Sequence, residues 1–173
     1  QVVCYGSVDV YGGQGRYQLY CTDITLQGAG TQAAELEALR RRLEQEGLFD
    51  PAKKREIPKL PSCVGVVTSA SGAVIRDIQN VIARRCPMVK LLLIPALVQG
   101  AEAPESVAAG IRRAQDTDAD VIIFGRGGGS VEDLSCFNSE VIARAVYASR
   151  IPTISAVGHE RDYSSCDYAA DLR

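Results

Sequence analysis

The apolar positions along the chain change their period twice. From residue 1 to residue 26 they alternate, with Val8 and Val10 before Tyr11-Gly12-Gly13-Gln14-Gly15-Arg16 and Tyr17, Leu19 and Cys21 after it. That pattern predicts a β-hairpin around a glycine-rich turn. Gly28-Ala29-Gly30-Thr31 ends the alternation, and Leu36, Leu39 and Leu43 then recur at helical spacing up to Gly47. Residues 46–60 are polar and marked by prolines, and read as a connector. From Pro61 onward short apolar runs alternate with amphipathic ones. Strands are predicted at 63–67, 89–94, 121–124 and 151–157, and helices at about 73–85, from 100–104 through 115, and over 131–149. In the helix over 73–85, Val74, Ile78, Val81 and Ile82 are expected to face inward. Alternation of this kind marks a parallel sheet with crossover helices. The predicted fold is therefore α/β, a three-layer Rossmann-like parallel sheet with a short N-terminal β-hairpin appendage. Its parts are the hairpin (1–30), a helix and connector (31–60) and the α/β domain (61–173).

Composition narrows the classes. With 173 residues, 46% apolar and 23% charged, the chain suits one α/β domain with a proper core. There is no run of eighteen apolar residues and no basic-then-apolar leader, so neither membrane insertion nor export is expected, and the chain reads as cytoplasmic. The formal net charge of −2 offers no global attraction to a polyanion; a nucleic-acid site would have to be local. Six cysteines without a C-x-x-C pair suit reduced thiols, mostly in the core, rather than zinc or disulfides. Tyr5, Tyr11, Tyr17 and Tyr20 could stack bases, but cross-strand packing is the preferred reading. Arg40, Arg41 and Arg42 read as a solvated helix face rather than a phosphate grip.

The stretch VIIFGRGGGSVEDLSCFN, residues 121–138, carries the most chemistry. A buried-strand pattern runs directly into Gly125-Arg126-Gly127-Gly128-Gly129-Ser130. Glycines let backbone N–H groups come close to an anion, and Arg126 adds a planar fork of donors suited to phosphate or carboxylate. Ser130 with Asp133 has the form of a capping box opening the next helix, whose N-terminus would point at the same place. The first strand leads into Thr68-Ser69-Ala70-Ser71-Gly72, with Asp77 in the following helix. The last strand leads into Gly158-His159-Glu160-Arg161-Asp162, which holds the lone histidine. Strand carboxyl ends of a parallel sheet share one rim, so Ser69, Arg126 and His159 should open onto the same side.

Asp77, Arg126, His159 and Asp162 together would supply an acid/base pair, a cation for developing negative charge and an orienting carboxylate, as phosphodiester hydrolysis requires. Ser69, Gly127, Gly128, Gly129 and Ser130 would contact phosphate. Mg²⁺ binding by Asp77, Asp133, Glu160 and Asp162 is a competing use of the carboxylates, and spacing does not decide between the two. A P-loop is excluded because Ser130 rather than lysine follows Gly129. A dinucleotide fingerprint lacks its third glycine, and no G-x-S-x-G elbow is present.

GRGGGSVEDLSCFN, followed by IPTISAVGHERDYSSCDYAADLR and preceded by GVVTSASGAVIRDI, closely resembles the exodeoxyribonuclease VII large-subunit family, as do EGLFD and YQLY upstream. The resemblance covers nearly the whole chain. It implies a cytoplasmic enzyme that hydrolyses single-stranded DNA from either end to products with 5′-phosphates and does not strictly require a divalent metal. It places the family's aspartate on Asp77, its arginine on Arg126, and its histidine and following aspartate on His159 and Asp162. Arg161 departs from the small hydroxyl residue common at that position. Members also carry an N-terminal OB-fold and a C-terminal helical region that recruits small subunits. This chain is expected to be an excised nuclease core, weakly active or inactive alone, with single-stranded DNA and the small subunit as partners of the whole protein. The alternative is a catalytically silent anion- or nucleotide-binding domain that uses the Gly125–Ser130 turn only for docking.

Overall fold

The computed structural model describes residues 2–11, 16–26, 29–127, 131–158 and 163–173. It divides into two compact units, Gln1–Leu39 and Arg40–Arg173. In the first, β1 (Val2–Tyr11) pairs antiparallel with β2 (Arg16–Leu26), from Val2 opposite Leu26 to Tyr11 opposite Arg16, with an irregularity between Tyr5 and Gly6. The predicted hairpin is present, and its side chains are largely exposed. Tyr5, Tyr17 and Tyr20 are 60%, 80% and 53% exposed, so they are not packed as a cross-strand cluster. Cys4 and Cys21 are exposed too, whereas Cys63 and Cys166 are the buried thiols expected of a core. A two-stranded ribbon has too little surface to bury both of its faces.

Helix α1 (Ala29–Gln45) runs from the first unit into the second. Its last turn is tied down there: Leu43 is fully buried, Arg40 Nη2 donates to Tyr163 O at 2.6 Å, and Arg42 pairs with Glu140. Of the three arginines read as a solvated face, Arg41 and Arg42 are exposed as expected, Arg42 while pairing with Glu140, and Arg40 is half-buried against Tyr163. A 3₁₀ turn at Pro51–Lys53 is capped by Asp50, which accepts from Ala52 N at 2.9 Å.

The second unit then alternates β3 (Cys63–Thr68), α2 (Ala73–Arg85), β4 (Lys90–Pro95), α3 (Ala103–Ala114), β5 (Val121–Gly125), α4 (Glu140–Tyr147), β6 (Thr153–Ala156) and α5 (Ser165–Ala169). The four strands form a parallel sheet in the order β4-β3-β5-β6. After β4 the chain jumps back across β3. With right-handed crossovers this reversal places α2 on one face of the sheet and α3 and α4 on the other. Val64, Val66 and Val121 meet Ile75 and Ile78 of α2 on the first face, and Gly110 lets α3 lie against Val67 on the second. The α/β class and the three layers are as expected.

Two helices differ from expectation. In α2 the buried residue is Ile75, while Val81 is 50% exposed, so the inward stripe is rotated from the predicted one. The predicted helix over 131–149 is a 3₁₀ stretch, Val131–Asn138, followed by α4. Ser139, accepting from Val141 N at 3.3 Å, caps α4, and Ser130 of the expected capping box lies outside the described residues. Asn138 Oδ1 accepts from Ser165 N at 2.9 Å and Phe137 is fully buried, and these contacts hold the intervening residues out of α geometry.

Candidate active site

In the observed strand order the carboxyl ends of β3 and β5 are neighbours, although their connections leave in opposite directions across the sheet. Such a switch point opens a crevice outside the strand ends, where open α/β sheets bind ligands. Three chain segments reach it: 69–72 after β3, 126–127 after β5 and 157–158 after β6.

The first segment turns tightly into α2. Gly72 N donates to Ser69 O at 3.3 Å, and a Cβ on Gly72 would lie 2.5 Å from Ser69 Oγ, so the serine hydroxyl occupies the space a side chain would need. Gly72 is also the N-cap of α2 and supplies no side-chain cap, which leaves the first-turn N–H groups to other acceptors. Gly127 comes to the same place. A Cβ there would stand 3.4 Å from Val74 Cγ2 and 3.7 Å from Ala73 Cβ. The N-terminus of α2, reached through the neighbouring strand, therefore stands at the arginine turn.

The glycines of the turn do different work. A Cβ on Gly125 would collide with Ala156 O, so this residue lets β5 and β6 pair closely and is a packing requirement. Gly127 has ordinary van der Waals space around it, so its bare backbone is not forced by the protein interior. Arg126 sits between them, 9% exposed, its N–H donating to Ala156 O at 3.2 Å and its Nε to Gly127 O at 3.0 Å. Its charge reaches Cys136. Burial pushes that thiol above its ordinary value, against the lowering pull of Arg126, so Cys136 stays protonated at neutral pH.

Asp77 is exposed on α2, one turn beyond Ala73. Ser69, Arg126 and Gly127 thus lie at the neighbouring ends of β3 and β5, with Asp77 one turn along the helix that starts there. Gly128, Gly129, Ser130, His159 and Asp162 lie outside the described residues. The segment that contains His159 and Asp162 is bounded by Gly158 and Tyr163, and both flanks are anchored on one carboxylate. Asp167 accepts from Ser155 Oγ at 2.6 Å, from Ser164 N at 2.7 Å and from Ser164 Oγ at 2.9 Å, and is 4% exposed. It couples the end of β6 to the start of α5. Sequence reasoning missed this positioning residue, although Ser164-Ser165-Cys166-Asp167 has the capping-box form and makes the reciprocal box here.

Residues 48–173 match the family model described as "Exonuclease VII, large subunit". The chain belongs to the exonuclease VII large-subunit family. Proteins named exodeoxyribonuclease 7 large subunit align with it throughout. That of Geobacillus kaustophilus is 50% identical over 99% of this chain and 39% of its own length, and that of Desulforudis audaxviator 50% over 99% and 43%. That of Bacillus subtilis is 46% identical over 100% of this chain and 39% of its own. The chain therefore spans about two fifths of the length of these curated relatives. Within the exonuclease VII family match fall all of the candidate residues, from Ser69 to Asp162, while the hairpin precedes it. Among the described residues, no helix is long and apolar enough to cross a membrane.

For an exonuclease VII chain this crevice has suitable chemistry. A guanidinium and a helix N-terminus both favour an anion, a side-chain-free backbone allows close approach, and a carboxylate stands one helical turn away.

Proposed function

We propose that this chain is the catalytic core of an exonuclease VII large subunit, hydrolysing phosphodiester bonds of single-stranded DNA from either end to 5′-phosphorylated products. The observation that carries the proposal is Arg126-Gly127 set against the N-terminus of α2 at the switch point, in a chain of this family. Water attacks phosphorus and the bond to O3′ breaks, leaving the phosphate on the 5′ carbon of the next nucleotide. Arg126 and the α2 N-terminus offset the charge that builds on the phosphoryl oxygens. His159 or Asp77 takes the proton of the attacking water and another acid of the set returns one to O3′, with Asp162 orienting the imidazole. Ser69 and the glycines from Gly127 to Gly129 hold the phosphate. The reaction does not strictly require a divalent metal, and the whole protein works in the cytoplasm with a small-subunit partner.

The test is end-labelled single-stranded DNA incubated in EDTA and in Mg²⁺ with a chain of the relatives' full length and with its His159→Ala variant. Cleavage by the wild type alone, in both buffers, is expected. Binding without cleavage in either buffer would replace this reading with the silent anion-binding domain.

A further inference from the structure

Beyond the rim, α5 carries an aromatic group that the proposed chemistry leaves unused. The rings of Tyr163 and Tyr168 lie 5.6 Å apart with 31° between their planes, and Tyr168 meets Phe49 at 5.5 Å. Cations lie over two of the rings. The guanidinium carbon of Arg173 is 3.8 Å from the centre of the Tyr163 ring, and that of Arg40 is 5.6 Å from the centre of Tyr168. Aromatic residues that serve a core are covered, yet Tyr163 is 50% and Tyr168 39% exposed. The ladder is nevertheless held in place. Arg40 Nη2 donates to Tyr163 O at 2.6 Å, and the next residue, Ser164, is fixed through Asp167. Beside it lies a cleft of about 360 Å³ lined, among the described residues, by Ser155, Gly158, Tyr163 and Arg173, at the carboxyl end of β6 and so on the same rim as Arg126.

We infer that this ladder and its cleft form a stacking subsite for unpaired nucleobases, with a base against Tyr163 and Tyr168 and the adjoining phosphate beside Arg173. The inference rests on the reading of the rim as the site of phosphodiester cleavage, and names what holds the strand next to it. Aromatic faces flanked by cations bind single strands without sequence preference, because every base has a π-face and every nucleotide a phosphate. Paired bases are stacked on one another and offer no free face, so the ladder selects the unpaired strand. It thereby supplies substrate selectivity that the anion-binding turn, which meets only phosphate, lacks.

The experiment uses the full-length protein with a single-stranded oligonucleotide that contains a fluorescent adenine analogue, beside an oligonucleotide of the same length that is abasic throughout. The wild type should quench the analogue on binding and prefer the base-containing strand. Tyr163→Ala should weaken binding of that strand roughly tenfold, as expected for loss of one stacked base. Tyr163→Phe, which keeps the ring, should stay close to the wild type, and on the abasic strand all three proteins should bind alike. Unchanged affinity in Tyr163→Ala, or an equal loss on both strands, overturns the inference. Should Tyr163→Ala fail to fold, the wild type decides alone, and absence of quenching with equal affinity for the two strands overturns it. Cleavage is scored separately. A wild type that stacks bases but does not cut refutes the nuclease reading alone, and one that cuts without stacking refutes the subsite alone.

Discussion

The two ends of the parallel sheet use charge in opposite ways. At the amino ends of the strands, carboxylates are spent on backbone. Asp120 Oδ2 accepts from Ser62 N at 2.6 Å and Cys63 N at 3.0 Å, joining the starts of β3 and β5. Asp171 accepts from Thr153 N at 2.7 Å, Thr153 Oγ1 at 2.9 Å and Arg55 N at 2.7 Å, and pairs with the Arg55 guanidinium at 2.9 Å. At the carboxyl ends Asp167 does the same beside β6, but the ends of β3 and β5 hold glycines, a serine and the α2 N-terminus around Arg126. One end closes the sheet; the other opens on a crevice. Carboxylates tied to strand starts stabilise a fold, whereas side-chain-free backbone beside a helix N-terminus leaves room for a substrate.

Substitutions at the two ends should separate accordingly. The largest effect is expected from Arg126→Ala, which should slow cleavage of single-stranded DNA roughly 100- to 1000-fold, the range for loss of one donor to developing charge. Single-turnover rates measure it, and a rate within a few-fold of wild type would remove Arg126 from the chemistry. Gly125→Ala belongs to packing although it lies beside Arg126. Its methyl group collides with Ala156 O, and a loss of about 2–3 kcal/mol in denaturant unfolding is expected.

Asp171→Asn acts at the opposite end. It should cost about 2 kcal/mol, less than the ~3–5 kcal/mol of a fully buried pair because Arg55 stays 26% exposed, and should leave cleavage rates unchanged. Its pH dependence sharpens the comparison. Burial works to raise the Asp171 carboxyl, but the bonds from Arg55 and Thr153 outweigh it and hold the carboxyl below the ordinary 3.8. The carboxylate's contribution is therefore present above the unfolded value and lost as pH falls through the lower folded one. Thermal melts across that acid range should show the wild type losing an advantage that Asp171→Asn never has. The smallest effect on stability, under about 1 kcal/mol, is expected from Gly127→Ala, since its Cβ meets only ordinary contacts. If the bare backbone serves a phosphate, this well-folded variant should still cleave more slowly; unchanged cleavage would make Gly127 incidental.

Much of this was legible before any coordinates. The four strands of the second unit lie within two residues of the predicted ones, because each is a short apolar run bounded by turn residues. The resemblance pointed to the family that the comparisons show. Ser164 with Asp167 was missed although it has the same capping-box form as Ser130 with Asp133, because what singles out Asp167 is the bond it receives from Ser155 Oγ of β6. Arg40 misled for a similar reason, since its partner Tyr163 lies 123 residues away.

By itself the sequence determined the alternation of strands and helices, the glycine turn with its arginine, and the family, all of which are carried by spacing within a few residues or by motifs in order. Tertiary structure alone decided that β3 stands between β4 and β5, which sets Ser69, the α2 N-terminus and Arg126 side by side. It also separated Gly125, required by the backbone of β6, from Gly127, where a side chain would meet only ordinary contacts with α2. The reason is physical. Strand order and close backbone approach depend on contacts between segments far apart in the chain, and a local pattern records that a residue is small or apolar without recording what it will meet.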